Sequence, residues 1–247
     1  SVEATSSNIF VSGSISCKNA KTISLYECQP YEQFNLSTMS PVSTINVTPS
    51  NGITDFQFSI NRFSGSVDRI YSKFLVVVDG IPLDSEKYVN IFPPTANNFS
   101  YPTSDSIKGL HAQMLDDAQK LGIKHTGFNY SIDNMFYSTS GNPNTITYSM
   151  DGQMYYLKGN YIQYMDRQIK AASDNDMIVT LILVLWGNSM PGDSPNVHIR
   201  HPDYPPQPPH GIVAAVNTTN SIGTNYWKAA CEFLAERYTR NDQLYGR

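Results

Sequence analysis

The chain has 247 residues, enough for one large domain or two ordinary ones. Hydrophobic residues make up 40% and charged residues only 15%, with Asn, Ser, Thr and Tyr filling the difference, a composition common in secreted and sugar-binding proteins. A net charge of −4 without clustered Lys or Arg excludes a nucleic-acid surface, which needs cations arrayed against phosphates.

Residues 1–95 read as all-β. Ile9, Val11 and Ile15 alternate, as do Ile23 and Leu25, Ile45 and Val47, and Phe56, Phe58 and Ile60. Phe74–Val78 is a more continuous apolar strand and Tyr88–Phe92 a last short one, with the turn signals KNAK, PSNG, RFSGS, DG and PLDS between them. Short alternating strands at this spacing predict a two-sheet antiparallel sandwich. Asp68-Arg69 is expected to be a local ion pair or turn anchor. Cys17 and Cys28 would pair only from neighbouring strands, and Cys231 falls on the apolar side of a helix, so no disulfide framework is set by the odd count. Residues 96–105, within a stretch rich in Pro, Asn, Ser and Thr, are the expected linker.

From 106 the period becomes helical. Met114, Leu115, Ala118 and Leu121 share one face, and Gly122 suits the position just past a helix end. Ile123–Ile132 is the next strand. Asp151-Gly152, between alternating segments, is a two-residue hairpin signal. Tyr161, Ile162, Met165, Ile169 and Ala172 mark a second helix. Met177–Gly187, MIVTLILVLWG, is an uninterrupted apolar run that fits a parallel strand buried on both faces. A long loop from Asn188 to Ile222 holds HPDYPPQPPHG, and a last helix runs from about Thr224 to Thr239. Short connections on one side and long ones on the other fit a (β/α)8 barrel, whose functional site lies at the strands' C-terminal ends. Only about three of its β/α units are present.

No apolar run reaches the about 20 residues that cross a bilayer, so no membrane span is expected. The opening SVEATSSN lacks the basic and apolar regions of a signal peptide, and no metal-ligand spacing is present. Sequons occur at Asn35, Asn46, Asn98, Asn129 and Asn217, of which Asn129 is expected at a buried strand end.

Candidate site residues follow from the strand ends. Trp186 closes the apolar strand; it fits a platform stacking on a sugar's apolar face, or a core aromatic at the rim. Asn129 fits a partner for a sugar hydroxyl, or an anchor for its own loop, and Asn188 follows Trp186 closely. His201 and His210 fit substrate contacts from the Pro-rich loop, or incidental surface positions, as does His198. His111 and His125 are expected to be structural, at the start of a helix and of a strand. Asp133, beside Asn134, reads as a loop cap rather than a catalytic carboxylate. Tyr148, Tyr155 and Tyr156 fit a cleft wall or ordinary cross-strand packing.

The strings DRIYSKFLVVVDG, KGLHAQMLDDAQKLGIKHTGFN and LVLWG, with a helix ending in FLAERY, resemble a bacterial family of secreted proteins. Its members join an N-terminal β-sandwich to a TIM barrel similar to clan A glycoside hydrolases. By that resemblance 106–247 is the first part of the barrel, with strands at Ser106–Leu110, Ile123–Ile132 and Met177–Trp186. The resemblance also implies an acid/base Glu after an Asn at the end of strand four and a nucleophilic Glu at the end of strand seven. Glu232 and Glu236 are the only Glu residues after position 86, and both fall on the last helix. Retaining enzymes need two carboxyl groups about 5 Å apart, so the catalytic pair is expected beyond Arg247.

The expectation is therefore the N-terminal portion of a secreted or cell-surface retaining glycoside hydrolase acting on an oligosaccharide or polysaccharide, completed by the remainder of the same barrel. Trp186, Asn129, Asn188, His201 and His210 would line the substrate, with no metal, cofactor or nucleic acid involved. The alternative is a non-catalytic carbohydrate-binding or surface-structural protein on the same scaffold.

Overall fold

The structure is a computed structural model and describes residues 1–48, 52–93, 104–111, 114–186, 195–204, 213–240, 242, 244 and 245. The chain is β-rich, with several small sheets and few helices. It divides into two compact units, Ser1–Thr95 and Ala96–Arg247. Of the expected linker 96–105, residues 96–103 lie outside the described residues.

The first unit holds β1 (Val2–Ala4), β2 (Asn8–Ser16), β3 (Lys21–Cys28), β4 (Ser43–Val47), β5 (Ile53–Asn61), β6 (Phe63–Ser64), β7 (Val67–Asp68), β8 (Lys73–Val78), β9 (Ile81–Pro82) and β10 (Lys87–Tyr88). One sheet has the order β1-β2-β5 and a second the order β10-β8-β3-β4, with β9 also on β8. All these pairs are antiparallel, and β2 pairs with β5 along its whole length, Asn8 opposite Asn61 through Ser16 opposite Ile53. Because side chains alternate along a strand, Ile9, Val11 and Ile15 from one sheet meet Ile23, Leu25 and Phe74 from the other in a single core. Ile91, expected within a last strand, instead bridges singly to Glu3.

Cys17 and Cys28 are both buried and free, at the ends of strands in different sheets. Burial pushes the Cys28 thiol up to about 11. Asp68 does anchor a turn, but not through its neighbour. Its carboxylate takes a bidentate hydrogen-bond pair from Arg62 and caps Ile70, whereas Arg69 pairs with Glu27 at 2.8 Å.

The second unit starts with β11 (Gly109–Leu110), α1 (Leu115–Lys120) and β12 (His125–Ser131). Then come β13 (Phe136–Tyr137), β14 (Thr145–Met150), β15 (Gln153–Lys158) and α2 (Gly159–Asp174), followed by β16 (Ile178–Val184), α3 (Asn196–Ile199) and α4 (Ser221–Tyr238). β11, β12 and β16 form a parallel sheet in that order, with Gly109 opposite His125 and His125 opposite Ile178. α1 stops where Gly122 takes a φ of 68°, a left-handed conformation costly for any residue with a Cβ. The 14–15 hairpin turns on Asp151 and Gly152 with φ of 51° and 76°, which matches the twist of the strands it joins.

One face of the parallel sheet is covered. Thr126, Phe128 and Tyr130 of β12 point to the side of Val179, Leu181 and Leu183 of β16, and there they meet Ala118, Ile162, Met165, Ile169 and Phe233 from the helices. The other face is open at its middle, where Asn129 is exposed and so is Ile182 opposite it, at 44%, whereas Ser131 and Val184 at the strand ends on that face are buried. The apolar run at 177–187 is thus not a central strand buried on both sides. Among the described residues it ends the sheet, and the face bearing Leu181 and Leu183 is the one that packs on the helices. Asn129, expected at a buried strand end, is instead exposed, while among the described sequon residues Asn217 is the buried one, at 3% exposure. Nor is the apolar face of α1 fully used: Ala118 is buried, but Met114 and Leu121 are exposed.

Candidate functional site at the strand ends

The open face is read from the strand alternation. Thr180, Ile182 and Val184 share it, and Trp186, half-buried, follows just past the end of β16. Across the register lie Gly127, Asn129 and Ser131. β11 pairs with β12 through Gly109 with His125 and Leu110 with Thr126, and His111 follows directly. His111 is therefore at the C-terminal end of β11 and ahead of the first helix, which starts only at Leu115. His111 follows β11 directly, Asn129 lies within β12 opposite Ile182, and Trp186 comes four residues after Ile182, just past the end of β16.

Asp133 fixes this rim. It lies in a 3-10 turn, Ile132–Asn134, directly after β12 and is completely buried. The Ser131 hydroxyl donates to its Oδ1 at 2.7 Å, and the backbone N–H of Trp186 donates to the same oxygen at 3.2 Å. Asn134 Nδ2 donates to the Ser131 hydroxyl at 3.0 Å. One carboxylate therefore ties the end of β12 to the end of β16 and orients the residue that carries the indole. Tyr161, from the first turn of α2, accepts the Ser131 N–H at 2.6 Å. Burial pushes its phenol up to about 12, with the Ser131 N–H acting the other way.

The segment after β16 folds back over this end. Val213 bridges to Trp186 in antiparallel fashion, and the Ala214 N–H donates to the Leu185 carbonyl at 2.8 Å. On its far side Val216 bridges to Arg200, and the His201 N–H donates to the Ala215 carbonyl at 2.9 Å. The extended stretch 213–216 thus places His201 two positions from the chain that neighbours Trp186. His201 Nδ1 accepts the Asp203 N–H at 3.2 Å, which puts the proton of the neutral ring on Nε2. His198 is held at the backbone, where its carbonyl accepts from Asn217 Nδ2 at 2.9 Å. Asn188 and His210 lie outside the described residues.

Other residues singled out in the sequence serve packing. Tyr155 is buried edge-on to Tyr226, Tyr148 packs edge-on against Phe233, and Tyr156 pairs across the strands with Tyr137 and Thr147. Glu232 and Glu236 flank Tyr148 on α4 and raise its phenol, although burial is the larger cause. Among the described residues no three His, Cys, Asp or Glu side chains gather as a metal site. No helix among them is long and apolar enough to cross a membrane. The Asp133 link escaped sequence reading because its bond to Trp186 spans residues far apart in the chain, and neither residue carries a local sign of the other.

The fold defines a class: a β-rich chain of two units, the second of which holds a short parallel sheet. Residues 100–247 match a family of unknown function, DUF5722, and the chain belongs to that family. No curated protein and no solved structure matches it.

Proposed function

We propose that this chain is the sandwich-fronted first part of a secreted, glycan-active (β/α)8 barrel, a retaining glycoside hydrolase completed by further β/α units that bring the catalytic Glu pair. The observation that carries the reading is the run of three parallel strands, β11, β12 and β16, with Asn129 and Ile182 exposed on one face and Trp186 just past the end of the last strand. Parallel sheets ordinarily have both faces covered, and an exposed Ile182 beside Asn129 suits a face that further strands enclose. Within that enclosure Trp186 stacks on the apolar face of a sugar ring and Asn129 hydrogen-bonds its hydroxyls. Asp133 acts as the brace for Trp186 and takes no part in bond cleavage, since its Oδ1 is already engaged by two donors.

Release of reducing ends from polysaccharides by the parent polypeptide tests the reading. Trp186→Ala should lower kcat/KM roughly tenfold or more, equivalent to about 1.4 kcal/mol of lost transition-state binding. Hydrolysis unaffected by that change would end it. A second reading, a non-catalytic glycan-binding protein, is favoured by the position of Glu232 and Glu236, which lie on α4 beside Tyr148. Glycan binding without release of reducing ends would decide for it.

A further inference from the structure

We draw no further inference here: the strongest candidate, the face of the β13-β15-β14 sheet that bears Tyr137, Met154 and Tyr156 on the side away from the buried Phe136, Tyr155 and Leu157, is an unpartnered surface, and nothing in the structure shows what covers it.

Discussion

Replacing Asp133 separates a brace from a catalyst. In Asp133→Ala the Ser131 hydroxyl and the Trp186 N–H both lose their common acceptor in a fully buried position. Hydrogen bonds to a charged group contribute about 1.5–3 kcal/mol each, so the loss should be about 3 kcal/mol or more. For a unit of this size that is roughly 6–12 °C of Tm. Asp133→Asn keeps an oxygen in the Oδ1 position, accepts from both donors as a neutral group, and should lose less than half as much. Differential scanning calorimetry reads the melting of the second unit, and Trp186 emission reports whether the indole moves. A brace predicts a large loss for Ala, a small one for Asn, and a red-shifted emission in Ala alone. Should Ala melt within about 2 °C of the wild type with unchanged emission, the assigned role of Asp133 is wrong. Were Asn to abolish hydrolysis by the parent protein while leaving Tm intact, the carboxylate would be chemical rather than structural.

A second buried carboxylate, Asp166 on α2, receives Arg237 from α4 in a bidentate pair at 2.7 and 2.8 Å and the Tyr238 hydroxyl at 3.0 Å. Asp166→Ala strands that guanidinium and should cost about 3–5 kcal/mol by chemical denaturation, while Asp166→Leu with Arg237→Met should recover most of the loss. Gly159→Ala would set a Cβ 2.1 Å from the Asn144 carbonyl oxygen and break the Gly159 N–H bond to it, so α2 should melt early by circular dichroism, at a cost of about 2 kcal/mol. The Cys28 thiol, held at about 11 in the folded state against an ordinary 9, binds its proton more tightly folded than unfolded. Its contribution to the first unit's stability is full below pH 9 and falls away as pH rises through about 11, which a urea titration across that window should show. At pH 8 native Cys17 and Cys28 should react with a thiol reagent only as fast as the first unit opens, and a mass consistent with a Cys17–Cys28 disulfide would contradict the separate sheets.

Local pattern sufficed for much of the chain. Alternation at Ile9, Val11 and Ile15 set which side of β2 enters the core, because a pleated strand allows no other assignment. Asp151-Gly152 and Gly122 announced a hairpin and a helix end, because few residues tolerate positive φ. The stripe Ile162, Met165, Ile169 and Ala172 became the buried side of α2 for the same periodic reason. What lies opposite a strand was not legible in this way. The apolar run at 177–187 reads identically whether one face is covered or two, and only the assembled sheet showed Ile182 and Asn129 on the open one. The Asp133–Trp186 brace and the pairing of Arg62 rather than Arg69 with Asp68 likewise waited on the fold. Periodicity is a property of consecutive residues and is written into the chain, whereas partners brought together from distant positions exist only once the backbone has closed around them.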